Sequence, residues 1–303
     1  LIAAAVAGGV PFLLWLQAFL DQAGHTGTPW APAPRPTVVA FLTLRDFGGG
    51  EIAEACLLSA LLVVLLVVGV VGREATAGVA LGGGLHPSVA GEAVVAGLTM
   101  AVGAVAGLLT ASTYASRYAS VVLPLVVLVA ARGLVVLPGR ARWGVAALVV
   151  VFGAAGVVEN IRADRTQAKD HAAAIAADVR LGDAVVVCPD QLGPATRRAL
   201  DQAGLPGVPV LAYPALGDGR RVDWYDYEER NDAADPAAVA AAIDAQVPAD
   251  AHVWVVWSGS YRTFEGDCEA LLNALSTTRG AFRGVVPDGA TDFFEHAALV
   301  VFG

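Results

Sequence analysis

IAEACLLSALLVVLLVVGVV, residues Ile52 to Val71, decides how this chain is read. A bilayer core about 30 Å thick needs about 20 apolar residues per helical span, and this stretch supplies them with Glu54 as its one charge. Outward from it, similar stretches recur before and after, at Ile2 to Leu20, Ala93 to Thr110, Ala119 to Leu137 and Trp143 to Val158. They predict five membrane spans, with kinks at Pro11 and Pro124 that neighbouring helices can accommodate. The composition agrees: 56% hydrophobic residues, 16% charged and a mean hydropathy of +0.62 depart from a soluble average in both directions.

Near Glu159 the character changes. Asn160 to Gly303 holds 12 Arg or Lys against 21 Asp or Glu, whereas the preceding part holds 7 against 7, so the net charge of -9 belongs to the tail. Nucleic acid selects a clustered basic face, and an acidic tail argues against it as a partner. The domain division expected is therefore 1–159 for a helical membrane region and 160–303 for a soluble domain.

Orientation follows from the rule that Lys and Arg of short loops stay on the cytoplasmic side. Arg140 and Arg142, with Arg132 within snorkelling reach, mark the loop after the fourth span, and Arg73 marks the loop after the second. If those loops are cytoplasmic, the Gly24 to Gly50 loop, the Ser112 to Tyr118 turn and the tail lie outside. The expectation is a multi-pass plasma-membrane protein with an extracytoplasmic C-terminal domain. Because Leu1 already stands inside an apolar run, without a charged flank or a cleavage-site pattern, the chain reads as part of a longer protein.

Of the three cysteines, Cys56 lies mid-span, where a thiol is simply a small apolar side chain. Cys188 and Cys268 are the two in the tail. An exported domain with two cysteines suggests one disulfide; two separate buried thiols are the alternative.

The tail alternates helical and strand periods. Helices are expected at Arg162 to Val179, Pro194 to Ala203, Pro236 to Gln246 behind an Asp235 cap, and Cys268 to Thr278. Strands are expected at Ala184 to Cys188, Val208 to Ala212, His252 to Trp257, Gly284 to Val286 and Ala297 to Phe302. Such alternation predicts a small three-layer α/β domain around a mostly parallel sheet. Ligands of such sheets collect beyond the carboxyl ends of the strands, which points to Pro189 to Gly193, with Asp190 and Gln191, and to Ser258 to Arg262, with Tyr261. The same residues also suit plain turn chemistry, Asp190 capping the next helix.

Recognisable cofactor motifs are missing. There is no G-x-G-x-x-G and no G-x-x-x-x-G-K-[ST], no C-x-x-C, and no H-x-x-x-H among His25, His86, His171, His252 and His296, so neither a nucleotide nor a zinc site is expected. No bound cofactor and no metal ligands are assigned. Ser258 and His296 could be drawn into a triad, but no nucleophile elbow supports it.

Two segments of the membrane region carry chemistry. His25 to Trp30 places His25, Thr28 and Trp30 just beyond the first span, as a pocket for a sugar or lipid headgroup or as a connector with Trp30 as interfacial anchor. Val38 to Phe47 then reads as a short surface helix. Tyr114-Ala-Ser-Arg117-Tyr118 sets a guanidinium between two interface-seeking rings at phosphate depth, and such forks suit phosphate oxygens. A snorkelling arginine in an aromatic belt is the alternative. Arg132 and Glu92 are the other charges near apolar runs, where charge points to function by default.

The segments His25-Thr-Gly-Thr-Pro-Trp30 and Ala115-Ser-Arg117-Tyr118-Ala-Ser-Val-Val-Leu-Pro124-Leu125, continuing to Ala130-Ala-Arg132-Gly-Leu134, resemble the later spans of bacterial polytopic GT-C glycosyltransferases. More narrowly, they are similar to the family 39-like, mannosyltransferase-related membrane proteins of actinobacteria. The tail, with Cys188 to Pro194 and Val222-Asp223-Trp224-Tyr225-Asp226-Tyr227, fits the extracytoplasmic domain such proteins carry. The resemblance implies a polyprenyl-phosphate sugar as donor, a glycan or protein acceptor, and Arg117 and Tyr118 as contacts to the lipid phosphate. It also implies a catalytic carboxylate in a first outer loop, which no residue here matches and which is expected before Leu1; any divalent-metal requirement stays open. The rival reading is a membrane-anchored binding or assembly module for a cell-envelope glycan or protein, in which Asp190, Gln191, Asp223, Trp224 and Tyr261 would matter and Arg117 would not. A transporter would show repeated halves, and no internal repeat is present.

Overall fold

The computed structural model describes residues 10–11, 13–26, 35–49, 52–75, 78–109 and 116–303. The chain packs as two units, Ala31–Ala163 and the combination of Leu1–Trp30 with Asp164–Gly303.

Ala31–Ala163 is built of helices α2 (Pro36–Phe47), α3 (Ala53–Val71), α4 (Ala90–Leu109), α5 (Leu123–Val136) and α6 (Gly139–Arg162). Among the described residues, four helical stretches are long and apolar enough to cross a membrane: Ala53–Val71, Ala90–Leu108, Ser116–Val136 and Gly139–Arg162. Of the first expected span, Ile2 to Leu20, residues 2–9 and 12 fall outside the described residues. In α3 the single acid, Glu54, sits in the first turn, where the positive end of the helix dipole favours it.

Several local details differ from expectation. Pro124 stands where the Ser116–Val136 stretch passes from a 3-10 segment, Ser116–Val122, into α5, and in the first turn of α5 its missing N–H costs no α-helical bond. The last span is not short: α6 runs for 24 residues from the extended Pro138. Arg140 and Arg142 therefore belong to its first turn rather than to a loop, and Arg142 Nε donates to the Leu137 carbonyl at 3.3 Å, closing the end of α5. Arg73 lies on a hairpin, β1 (Gly72–Ala75) against β2 (Gly78–Leu81), with Arg73 opposite Ala80.

Arg132 also has a structural task. Its guanidinium donates to the carbonyls of Gly69 at 2.6 Å and Gly72 at 2.9 Å, and to Ser88 Oγ at 3.0 Å. These are the unpaired carbonyls at the end of α3, which a basic side chain satisfies. The approach is possible because α3 and α5 touch backbone to backbone: a Cβ on Gly133 would collide with the Leu65 carbonyl oxygen, and one on Gly69 with that of Val129. Small residues at such crossings let apolar helices pack closely without a hydrophobic driving force.

The second unit joins α1 (Leu16–His25) to α7 (Ala168–Asp178), β3 (Ala184–Cys188), α8 (Gly193–Gln202), β4 (Val210–Ala212), α9 (Tyr227–Asp232), α10 (Pro236–Gln246), β5 (Val253–Trp257), α11 (Asp267–Arg279), β6 (Arg283–Val286) and β7 (Ala298–Phe302). The sheet order is β4-β3-β5-β7-β6. Strands β4, β3 and β5 pair in parallel, but β7 is antiparallel to both β5 and β6, so the sheet is mixed rather than mostly parallel. The reason lies in the connection: no helix stands between β6 and β7, and a parallel neighbour needs a long crossover.

Side chains alternate across the sheet. Val185, Val187, Trp254 and Val256 pack with Ile175 and Leu200 of α7 and α8, whereas Val186, Cys188, Val253 and Val255 pack with Ile243, Leu271 and Leu275 of α10 and α11. Helices cover both faces, which is why β3, β4, β5 and β7 are apolar throughout; each such side chain contributes about 1.5–3 kcal/mol on burial. Asp235 caps α10 as expected, its Oδ1 accepting from Ala237 N at 2.9 Å. Helix α11 is bracketed by Gly266 and Gly280 at φ +85° and +83°, conformations that favour glycine.

The helix expected from Arg162 begins only at Ala168. Residue 166 bridges Glu295, and Gln167, buried, donates to the Pro287 carbonyl at 2.8 Å and accepts from Gly289 N at 3.0 Å. Those long-range bonds hold the preceding backbone out of a helix. The sheet-bearing unit takes up the chain again at Asp164.

Candidate functional site

Two groupings of polar side chains stand out, one in each unit. In the sheet-bearing unit the chain leaving β3 makes a short turn, Asp190–Leu192. Asp190 does not cap α8. It accepts a hydrogen bond from the Tyr227 hydroxyl at 2.7 Å, and Gln191 Nε2 donates to the same hydroxyl at 3.1 Å. Burial pushes the Asp190 carboxyl up, against the opposing pull of Tyr227 and the Arg230 charge. Burial and the Asp190 charge raise the Tyr227 phenol far above its ordinary value, so Tyr227 remains the donor.

Around this pair, Trp224 packs its ring 4.9 Å from that of Tyr227, and the Arg230 guanidinium lies 5.8 Å from the Tyr227 ring centre. Asp223 is solvated; it accepts from Arg230 at 3.1 Å and from Tyr225 N at 3.1 Å. The Cys188 and Cys268 sulfurs are bonded, with Cα atoms 5.6 Å apart across 80 residues of sequence. The bridge ties the end of β3, next to Asp190, to the first turn of α11, next to Asp267.

Tyr261 stands apart from these groups. It packs against the core on both faces of the sheet, and its hydroxyl is pushed up to about 12 by burial and the Glu295 charge. Ser258 pairs with Ser260 at 2.9 Å and His296 with Asp288 at 2.6 Å, so Ser258 and His296 form no catalytic pair. Among the described residues, no group of three His, Cys, Asp or Glu side chains is arranged to hold a metal ion.

The fold also gathers residues that the sequence pattern did not single out. A cavity of about 600 Å³ opens between α9, the Arg262–Phe264 turn and the start of α11, lined by Glu228, Asn231, Asp232, Arg262, Glu265 and Asp267 among others. Burial raises the Asp267 carboxyl, the Tyr213 hydroxyl bound to it at 3.1 Å opposes the rise, and Asp232, Glu265 and Glu269 add to it. Arg262, at the end of the Ser258 to Arg262 segment, was the one lining residue that the sequence pattern pointed to, and the gap from Glu228 to Glu265 and Asp267 has no motif spacing.

In the helical unit, Arg117 and Tyr118 lie in the 3-10 segment, both exposed, with the guanidinium 5.3 Å from the Tyr118 ring centre. The neighbouring Ser116 hydroxyl donates to Asp46, which also accepts from Arg45 Nε at 3.0 Å. The same unit holds an apolar cavity of about 250 Å³, lined by Thr43, Phe47, Leu66, Met100, Val122 and Val126 among others. Val122 ends the segment that carries Arg117, and Thr43 and Phe47 flank Asp46 on α2. Tyr114, Thr28 and Trp30 lie outside the described residues.

No protein-family model, no curated protein and no solved structure matches this chain. Function is therefore argued from these two groupings alone.

His25 belongs with the sheet-bearing unit. Its Nδ1 is 2.7 Å from Asp226 Oδ1, its carbonyl accepts from Asp226 N at 2.8 Å, and its ring stacks on Tyr225 with centroids 4.3 Å apart. The Asp226 hydrogen bond raises the imidazole above its ordinary value, reinforced by the charges of Asp226, Asp21 and Glu229. A raised histidine contributes its contact fully below the unfolded value near 6.5 and loses it as pH rises through the higher folded value. NMR titration of 15N-histidine-labelled protein should place His25 above that reference and return it there in Asp226→Asn; a His25 that titrates at or below the reference in the unaltered protein refutes the contact.

Proposed function

We propose that this chain is part of an integral-membrane glycosyltransferase of the GT-C kind, handling a sugar carried on a polyprenyl phosphate. The observation that carries the reading is that one 3-10 segment, Ser116–Val122, carries an exposed cation, Arg117, and ends on Val122, which lines an apolar cavity of the helical unit. Arg117 and Tyr118 offer a guanidinium and a ring to a phosphate, and the cavity beginning at Val122 takes the adjoining hydrocarbon. An amphiphile with an anionic head and a prenyl tail has this division of character. In transfer, the bond from the sugar's anomeric carbon to the phosphate oxygen breaks, the acceptor oxygen bonds to that carbon, and the phosphate departs with the electron pair. Arg117 offsets the charge that grows on it. The base that takes the acceptor proton is not assigned to any residue of this chain.

The four long apolar helices, together with the rule that would keep Arg73, Arg140 and Arg142 cytoplasmic, support a multi-pass plasma-membrane protein whose C-terminal domain is extracytoplasmic. A reporter fused after Gly303 that works only in the cytoplasm would overturn that orientation.

The binding step is testable without turnover. Polyprenyl phosphate should bind the chain in nanodiscs, and Arg117→Gln should weaken binding roughly 10- to 100-fold, as expected for lost charge-assisted hydrogen bonds, while Asp190→Asn leaves it unchanged. Equal affinity of Arg117→Gln and the unaltered chain sinks the reading in favour of a membrane-anchored binding module, whose sensitivity would lie at Asp190 and Asp223.

A further inference from the structure

Of the tryptophans and tyrosines in the tail, Trp224 and Tyr225 alone are exposed, and they are neighbours in the chain. Scattered exposed rings are ordinary; this pair differs in where the fold fastens it. Tyr225 stacks on His25 with ring centroids 4.3 Å apart, the Asp226 carboxylate pairs with the His25 ring at 2.7 Å, and Asp226 N donates to the His25 carbonyl at 2.8 Å. The loop that carries both rings is thereby joined to the carboxyl end of α1, within a single packed unit.

Helix α1 gives that junction a depth. Leu13, Leu14, Phe19 and Leu20, on α1 and just before it, are exposed, as the side chains of the first expected span should be where lipid is to cover them. After Leu20 the sequence turns polar, with Asp21, Gln22 and His25. At about 1.5 Å per helical residue, His25 stands about 7.5 Å beyond Leu20 along the axis, and the headgroup layer of each leaflet is about 5–8 Å thick. The ring stacked on His25 therefore falls at headgroup depth, where the apolar bodies and polar tips of Trp and Tyr are both accommodated. Arg221, three residues before Trp224, is exposed as well, and its guanidinium suits a headgroup phosphate. The nearby acids have partners of their own: Asp223 accepts from Arg230 at 3.1 Å, and Asp226 is paired with His25.

The loop is backed by a fixed floor. The Trp224 ring packs 4.9 Å from that of Tyr227, whose hydroxyl donates to Asp190 at 2.7 Å. Rings held in place before contact lose less conformational freedom when they engage a surface.

We propose that residues 221–225 form a membrane-surface anchor of the tail, with Trp224 and Tyr225 seated among phospholipid headgroups at the end of the first span and Arg221 reaching their phosphates. The anchor turns the carboxyl end of β3, where Asp190 stands, toward the bilayer, and the amino end of β3, preceded by the fully exposed Leu181, away from it. The inference rests on α1 being the end of a span and is independent of Arg117 and of sugar transfer.

Spin labelling of the whole chain in nanodiscs doped with a nickel-chelating lipid tests this, in a Cys56→Ser background that keeps the Cys188 to Cys268 bond. One label is placed at Arg221→Cys and the other at Leu181→Cys, beyond opposite ends of a five-residue strand. That strand is about 17 Å long, and paramagnetic relaxation falls steeply with distance, so the headgroup nickel should relax the label at 221 at least about fivefold faster than the label at 181. Replacing both rings, Trp224→Ala with Tyr225→Ala, should remove about half or more of that difference. The comparison of the two labels leaves the rings untouched, so it decides the matter even where the double variant fails to fold. Equal relaxation of the two labels, or a difference undiminished in a folded double variant, overturns the proposal. Broadening between labels at 221 in place of relaxation by the lipid assigns the surface to a second copy of the chain and overturns it too. Loss of the relaxation difference alongside intact Arg117-dependent binding of polyprenyl phosphate removes the anchor and leaves the proposed function standing.

Discussion

Replacing Cys188 and Cys268 together by serine is expected to destabilise the sheet-bearing unit by about 4 kcal/mol. The bond closes a loop of 80 residues, and in the chain-entropy account a loop of that length restricts the unfolded state by roughly 4.5 kcal/mol, within the 2–5 kcal/mol usual for native bridges. Both cysteines are fully buried, so serine adds two hydroxyls to a core without partners for them. For a domain of this size the change corresponds to a fall of roughly 10 °C or more in Tm. Thermal unfolding followed by near-ultraviolet circular dichroism, to which the buried Trp254 contributes, measures it. Thiol labelling of the denatured protein should find one reactive cysteine, Cys56, before reduction and three after. Equal labelling with and without reduction refutes the bridge, and an unchanged Tm refutes its contribution.

Gly133→Leu is expected to separate α3 from α5. The new Cβ would meet the Leu65 carbonyl oxygen, with Gly69 N close behind; these are backbone atoms, which cannot swing aside as a side chain would. Overpacking costs about 1–3 kcal/mol where neighbours can adjust, and here the helices themselves must move. Arg132 would then lose its carbonyls at Gly69 and Gly72. A cysteine pair placed across the crossing at Leu65 and Gly133 cannot probe it without the same clash. Cross-linking between engineered cysteines at Val68 and Arg132 is no better, because Arg132 is itself part of the junction. Protease susceptibility and detergent-melting temperature of the purified chain are the measurements. The Gly133→Ala variant should be intermediate, and full stability of Gly133→Leu would show that the two helices do not cross there.

Much of the architecture was readable in the residues. The strand at Ala184–Cys188 and the helix at Pro236–Gln246 have the expected bounds, because a short β-branched run and an Asp-Pro start are local signals. Strand direction was not readable: β7 reverses because the chain reaches it from β6 without a helix, which depends on how far apart the two strands end up. Arg132 read as a candidate for function because its charge interrupts an apolar run; its carbonyl partners lie about 60 positions earlier in the chain. Asp190 was singled out for its place after a strand, but its pairing with Tyr227 was not readable, since 37 residues separate them.

Local periodicity and composition by themselves determined the long apolar helices, the acidic tail with its alternating strands and helices, and the two tail cysteines. Those features arise from interactions within a few residues or with the solvent as a whole. Only the tertiary structure decided the mixed sheet, the glycine crossing of α3 and α5, the contact of His25 with Asp226, and the cavity around Asn231. Each of these joins residues distant in sequence, and their meeting depends on which surfaces pack and how tightly, an outcome of the whole chain's burial that no single segment encodes.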